Sequence, residues 1–131
     1  MPVDLETLRL FLHVLAATVW VGGQIVLAAL VPALRAAGAD VPRAAARAFS
    51  SIAWPAFGVL LLTGIWNVAA EGDRGRAYEV TLVVKLVLVA ISGASAYAHA
   101  KATTRAGMTV FGALTGISAL ATLFVGIVLA G

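Results

Sequence analysis

Four long stretches of this sequence carry almost no charge, and they restrict the fold more than any other feature. These stretches are Leu10–Leu34, Ala48–Ala70, Val80–Ala100 and Ala106–Gly131. A helix that crosses a bilayer needs about 20 mostly apolar residues, so each stretch is long enough. Because lipid offers the backbone no hydrogen-bond partners, such a stretch crosses the membrane as a helix. The sequence therefore predicts an all-α integral membrane protein, folded as a four-helix antiparallel transmembrane bundle.

Composition and length agree with this fold class. Hydrophobic residues make up 62% of the 131 residues, whereas a soluble domain is about half apolar. Four spans leave little chain for anything else, so residues 1–131 are predicted to form a single transmembrane domain. Its helices are expected at about 5–35, 41–70, 79–100 and 106–130. The first expected partner is the lipid bilayer.

Several function classes are excluded or disfavoured by what the sequence lacks. There is no cysteine, which removes disulfides and thiolate metal sites. The net charge of +3 comes from residues in short loops beside the spans, so we expect no nucleic-acid partner. No hydrolytic triad, buried carboxylate pair or phosphate-binding glycine loop is visible. The residues therefore favour a non-enzymatic role over an enzymatic one, and no catalytic residue is predicted.

The loops predict the orientation in the membrane. The loops after the first and third spans carry five basic residues: Arg35, Arg43, Arg47, Lys101 and Arg105. The opposite side carries three basic residues accompanied by five acids. Because cytoplasmic loops are enriched in lysine and arginine, this distribution predicts that both termini lie outside.

Lys85 lies inside the third apolar stretch, where a charge costs roughly 2.5–3.5 kcal/mol on insertion scales. Ser92 and His99 follow it at intervals of seven, so the three side chains lie close to one helical stripe. Such a stripe must face protein, water or a bound group. The alternative for Lys85 is that its long side chain reaches the nearby membrane surface.

Topology predicts which polar groups share a depth. The first and third helices run in the same direction, with His13 and Lys85 a few residues inside them, so the two side chains are expected to approach each other. The second helix runs back and brings Thr63 and Asn67 to the same level. The candidate group is thus His13, Lys85, Asn67 and Thr63, with Trp20 and Gln24 deeper. The predicted cofactor-binding residues among them are His13, Lys85, Asn67 and Trp20.

The residue types in this group indicate the chemistry. Imidazole is a common ligand of metal ions and haem iron, so His13 is the candidate metal ligand. A lysine can supply counter-charge to an anionic group such as a haem propionate. Copper(I) prefers thiolate or thioether ligands, so a copper site here would be weak and built from nitrogen and oxygen. The alternative is that His13 is hydrogen-bonded inside the protein and has no further role.

His99 lies at the opposite end of the third helix, about 21 Å from Lys85 at 1.5 Å per residue. That separation excludes joint ligation of one metal ion. We expect His99 to form a headgroup belt with Tyr97, Lys101 and Arg105 at the cytoplasmic surface.

Three segments resemble the membrane domain of the copper resistance protein D (CopD) family. They are HVLAATVWVGGQ in the first helix, RAFSSIAWPAFGVLLLTGIWN in the second and YEVTLVVKLVLVAISGASAY in the third. The resemblance implies a multi-pass protein of a bacterial-type inner membrane with a role in copper uptake or tolerance.

The chain is also similar to HemJ, a family of small four-helix protoporphyrinogen oxidases thought to bind haem b. The helix-one histidine and helix-three lysine of that family correspond to His13 and Lys85, and Trp54–Pro55–Ala56 is similar to its threonine-proline-alanine stretch. This second resemblance implies a haem b-binding oxidoreductase.

The first function predicted is a copper-linked membrane protein of CopD-like type with a polar site in the outer leaflet; the alternatives are a haem-binding oxidoreductase and, third, a structural membrane subunit. The cofactor is accordingly either a copper ion or haem b, or there is none. The fourth helix carries small residues at helical spacing, Gly112 and Gly116, then Ser118, Thr122 and Gly126. Such spacing favours close helix packing, either within the chain or across a homodimer.

Overall fold

The computed structural model describes residues 3–72 and 74–130, and this part of the chain is helical throughout except for short turns. The elements in chain order are α1 (Leu5–Ala17), a π-helical segment (Thr18–Gly22), α2 (Gly23–Ala37), α3 (Val41–Glu71), α4 (Arg76–Lys101) and α5 (Arg105–Ala130). The predicted all-α, four-helix fold class is confirmed. Helix α4 begins one turn earlier than the sequence suggested, at Arg76.

Four spans in this part of the chain are long and apolar enough to cross a membrane, judged by length and composition. The first combines α1, the π-helical segment and α2, and runs from Leu5 to Ala37. Large apolar side chains such as Leu62 and Phe124 are exposed on the helices. Exposed apolar side chains on a helix of this length are suited to lipid rather than to water. The protein is thus a multi-pass membrane protein in contact with the bilayer.

The chain divides into two compact units, Met1–Gly72 and Asp73–Gly131. We call them the N-terminal hairpin and the C-terminal hairpin, because in each of them one membrane-length helix packs on the next. The expected domain of residues 1–131 also includes four residues that lie outside the described ranges: Met1, Pro2, Asp73 and Gly131.

The ends of the first long helices follow the expected signals. Asp4 caps α1, since its carboxylate accepts a hydrogen bond of 2.9 Å from the Thr7 backbone N–H. This bond, with a second one from the Thr7 hydroxyl, lowers the pKa of the Asp4 carboxyl below its usual value. Gly38 follows the last residue of α2, and Pro42 lies in the first turn of α3.

The π-helical segment is a feature of the first span that the sequence analysis did not predict. It occupies Thr18–Gly22, between two segments of ordinary α-helix. A single π turn accommodates one extra residue within a helix, and such turns are frequent at functional sites. Pro55 does not interrupt α3, which continues through it from Val41 to Glu71.

Glycine sets the closest approach inside the N-terminal hairpin. A Cβ at Gly23 would overlap the ring of Phe49, which belongs to α3. Gly22 meets nothing within 4 Å, so the two adjacent glycines differ in function. The contact between Gly23 and Phe49 pairs the start of α2 with the first half of α3, as an antiparallel hairpin requires.

The C-terminal hairpin is joined by polar contacts on its inner face. The Thr115 hydroxyl lies 3.0 Å from the Ser95 hydroxyl, and both residues are buried. His99 Nδ1 lies 2.8 Å from the Met108 carbonyl oxygen. A Cβ at Gly112 would lie 3.0 Å from His99 Cε1 and 3.1 Å from its Nδ1, so a glycine there lets the imidazole reach α5.

The small residues of α5 therefore pack partly within the chain. Gly112 faces His99 and Gly126 faces Lys85, whereas Gly116 meets nothing within 4 Å. The first two contacts favour intramolecular packing for this pattern.

We predict that cysteines at the two ends of α4 are labelled from opposite sides of the membrane. Ala77 and Thr103 are both exposed and flank the third span. In inverted and right-side-out vesicles, an impermeant maleimide should reach Ala77→Cys from one side only and Thr103→Cys from the other. Labelling of both variants from the same side would overturn the transmembrane assignment of α4.

A second prediction compares two glycines of α5. Replacing a helical glycine with alanine gains up to about 1 kcal/mol from helix propensity. Gly116→Ala should show this gain, because no atom lies near its Cβ. Gly112→Ala should lose it, because the new methyl group presses on an imidazole that is hydrogen-bonded to Met108. Unfolding midpoints in detergent measure both variants, and equal midpoints would contradict the role of Gly112.

Candidate functional site

The candidate site of the N-terminal hairpin is built around a chain of hydrogen bonds between α1 and α3. His13 Nδ1 lies 2.7 Å from Thr63 Oγ1. The Thr63 hydroxyl in turn donates to the Val59 carbonyl oxygen at 2.7 Å. Since a hydroxyl has one proton to donate, Thr63 accepts from His13, and Nδ1 carries the imidazole proton. The lone pair of the neutral ring therefore belongs to Nε2.

The sequence around Thr63 suits this arrangement. Thr63 is buried, and its neighbour Gly64 faces the same imidazole, since a Cβ there would lie 3.9 Å from His13 Cε1, an ordinary van der Waals distance. The Thr63–Gly64 segment of α3 thus supplies the acceptor for the imidazole and borders its ring. A histidine fixed through one nitrogen presents the other in a defined direction, which is how proteins orient metal-ligating histidines.

Trp20, the third residue of the π-helical segment, contributes to packing more clearly than to a binding site. Its side chain is 4% exposed. Its ring centroid lies 4.5 Å from that of Phe57 and 5.3 Å from that of Trp54, the latter in an edge-to-face arrangement. Trp54 and Phe57 also contact each other. Aromatic pairs of this kind contribute about 0.5–1.5 kcal/mol beyond their buried area, so this cluster holds the middle of the hairpin together.

Two further polar groups extend the site by one helical turn towards Leu5. Arg9 precedes His13 by four residues and Asn67 follows Thr63 by four, so each lies on the same helical face as its partner. Because α1 and α3 are antiparallel and the His13–Thr63 bond sets their register, Arg9 and Asn67 share the next level. In the sequence Arg9 is one of the charges that flank the first apolar stretch, and Asn67 is predicted at the level of His13.

Arg9 is unusual because it is charged, 6% exposed and poorly paired. Its ion-pair partner within the described residues is Glu6, whose carboxylate lies 3.7 Å from the guanidinium. That distance exceeds a hydrogen bond. The Arg9 Nε–H and the Asn67 Oδ1 are both buried without a hydrogen-bond partner in the part of the chain described. Buried groups of this kind are normally satisfied, so their occurrence at one level needs a reason.

Lys85 belongs to the C-terminal hairpin, where its side chain lies against α5. A Cβ at Gly126 would lie 3.5 Å from the Lys85 Nζ. No hydrogen bond or ion pair links Lys85 to any residue within ranges 3–72 and 74–130. His99, at the other end of the same stripe, also faces α5, and Ser92 between them is buried. The predicted approach of Lys85 to His13 stays a prediction.

Two other sequence candidates have distinct surroundings. Gln24 lies in α2, and its Nε2 is buried with no hydrogen-bond partner within the described chain. His99 is exposed and bonds to the Met108 carbonyl, a contact that the proposed headgroup belt did not include. The Lys101 ammonium lies 5.7 Å from the Tyr97 ring centroid, as suits residues at a membrane surface.

The donor atoms decide which groups the site can hold. Within the described residues, no cluster of three or more histidine, aspartate or glutamate side chains is placed to hold a metal ion. The donor set therefore contains one imidazole, that of His13, rather than a complete protein coordination sphere. A haem needs only one or two axial ligands from the protein, since the macrocycle supplies the other four. Of the two cofactors considered, haem fits a single histidine better than a copper ion does.

Comparison of the chain with protein-family models, with curated proteins and with solved structures finds no match.

We predict that the Thr63 hydroxyl stabilises the fold through His13. Thr63→Val keeps the shape but leaves the imidazole N–H without its acceptor, which should cost about 1–3 kcal/mol of unfolding free energy. Thr63→Ser retains the hydroxyl and should cost less. Thr81→Val is the control, because within the described part of the chain the Thr81 hydroxyl bonds only to the Ala77 carbonyl of its own helix. Equal losses in Thr63→Val and Thr81→Val, measured by detergent unfolding, would contradict the role of the bond.

Proposed function

We propose that this protein binds haem b in the membrane, with His13 as an axial ligand of the iron. The observation that supports the proposal is the hydrogen-bond chain from His13 through Thr63 to the Val59 carbonyl. It holds the imidazole in the tautomer whose Nε2 carries the lone pair, and that is the form that ligates iron.

Haem, when bound, would supply one-electron iron chemistry, and the protein would tune it through the ligand and its surroundings. Thr63 would orient His13 and raise the basicity of its ligating nitrogen by accepting from the other one. The apolar side chains of the spans would keep bulk water away. The resemblance to HemJ implies that the reaction is protoporphyrinogen oxidation, which would make the protein an oxidoreductase.

The copper-linked function implied by the CopD resemblance stays a prediction. A site limited to imidazole, amide and hydroxyl groups suits Cu(I) poorly, because Cu(I) favours sulfur ligands. A structural subunit without cofactor is the third candidate, and the aromatic and glycine contacts of the hairpins would serve it equally well. The location in a bacterial-type inner membrane, the outside position of both termini and a homodimer through α5 also stay predictions.

The proposal predicts that haem binding depends on His13 and not on His99. The purified protein in nanodiscs should bind haemin with a shifted Soret band, and His13→Ala should abolish that shift. His99→Ala removes a histidine of the other hairpin and should leave it intact. Thr63→Val should weaken binding, whereas Thr63→Ser should retain it.

The same preparations distinguish the alternatives. Retention of copper that is lost in His13→Ala, with no haem bound, would favour the copper-linked function. Binding of neither group would favour a structural subunit. An unchanged Soret shift in His13→Ala, or its loss in His99→Ala alone, would overturn the assignment of the ligand.

A further inference from the structure

The level of Arg9 and Asn67 is the one place in the described chain where a buried cation and a buried amide both have unused hydrogen-bonding atoms. The His13–Thr63 bond fixes the register of α1 against α3, which places this level one turn closer to the hairpin end at Leu5 and Glu71. The polar groups of the hairpin thus lie at two levels, with an imidazole at the inner level and a guanidinium at the outer one.

The edge of the Arg9 guanidinium that carries Nε–H is not filled by a hydrogen bond within the described residues. The Glu6 carboxylate lies 3.7 Å from Nη2, the terminal nitrogen on the same edge as Nε; this exceeds a hydrogen bond, and Glu6 is itself mostly exposed. The Nε–H, which belongs to the side-on edge of the fork, is buried and unpaired within the described residues. Arginine binds a carboxylate most strongly through two parallel N–H donors on one edge. Leaving a buried donor unpaired is costly, so an acceptor at this edge would be strongly favoured.

Asn67 complements this edge. Its Oδ1 is buried without a partner, and rotation of the amide by half a turn presents the two Nδ2 hydrogens in the same place. Arg9 and Asn67 together can therefore offer three donors to one planar anion. Glu6 adds a negative charge beside them, which disfavours a dianion such as a phosphate and leaves a monoanionic carboxylate as the suitable ligand.

We propose that Arg9 and Asn67 form a carboxylate-binding site at the membrane surface. This site holds an acid group of a tetrapyrrole whose apolar body extends into the bilayer. The choice of a tetrapyrrole rests on the proposed haem function, since His13 lies one turn deeper on the same helical face. The carboxylate itself rests on Arg9 and Asn67 alone. A propionate held here would fix the orientation of the macrocycle before the iron is ligated.

Iron-free protoporphyrin IX tests the carboxylate-binding site without involving iron ligation. The protein in nanodiscs is titrated with protoporphyrin IX and, separately, with its dimethyl ester, and empty nanodiscs serve as the blank. Fluorescence then reports both affinities. We expect the free acid to bind roughly ten- to a hundredfold more tightly than the ester, the range of one charge-assisted hydrogen-bonded contact. Equal affinities in the unmodified protein would overturn the proposal, even if no variant folds.

Three variants assign the preference to residues. Arg9→Gln should remove most of the difference between acid and ester. Arg9→Lys, which keeps the charge without the planar fork, should restore only part of it. Arg35→Gln is the matched control, because Arg35 is an exposed arginine at the other end of the same span. A full acid preference in Arg9→Gln, or its loss in Arg35→Gln, would overturn the assignment to Arg9.

Two further measurements separate this inference from the haem function and from other carboxylates. His13→Ala should keep the acid preference for protoporphyrin IX while losing the haemin Soret shift. Loss of the haemin Soret shift without loss of the acid preference would support the carboxylate-binding site. An unmodified protein that prefers the acid but never ligates haemin iron would overturn the haem function and not the carboxylate-binding site. Displacement of protoporphyrin IX by equimolar palmitate would identify a fatty-acid site and overturn the tetrapyrrole assignment.

Discussion

A polar group inside a bilayer must find its partner within the protein, and the packing of both hairpins follows from that requirement. The His13 imidazole meets the Thr63 hydroxyl, which meets the Val59 carbonyl. In the other hairpin, the buried Thr115 hydroxyl meets the buried Ser95 hydroxyl, and His99 at the end of α4 meets the Met108 carbonyl. The His99 ring lies beside Gly112 of the facing helix, where a Cβ would come within 3.0–3.1 Å of it, so the missing side chain makes room for the imidazole. Polar contacts and small residues are therefore two parts of one packing solution.

The long-range outline of the fold could be read from the sequence because it depends on length and hydropathy alone. Four uncharged stretches predicted four membrane-length helices, and the structure has four such spans. The π-helical segment could not be predicted in this way. Its hydrophobic residues satisfy an α-helical pattern equally well, and only the structure shows the π turn at the level where Trp20 packs on Phe57 of α3.

The candidate site was predictable in part. Topology correctly brought His13 and Thr63 to one level, because antiparallel helices of known length fix the depth of each residue. Arg9 was missed, since an arginine at the edge of an apolar stretch is normally solvated, and only coordinates reveal that this one is 6% exposed. The local contact of Lys85 with Gly126 was also beyond the sequence, because it depends on the register between α4 and α5.

The π turn divides the first span into two segments whose angular phases are set separately. Residues before Thr18 are aligned by the His13–Thr63 bond, and residues after Gly22 by the contact of Gly23 with Phe49. An α-helix turns about 100° per residue, so a regular helix of the same length would satisfy one of these contacts and rotate the other out of place. The extra residue thus corrects the angular offset between the two helix segments. It lets one continuous helix present its imidazole and its glycine to the same neighbouring helix, α3. Deleting any residue from Thr18–Gly22 would therefore disturb the relative orientation of the two contacts.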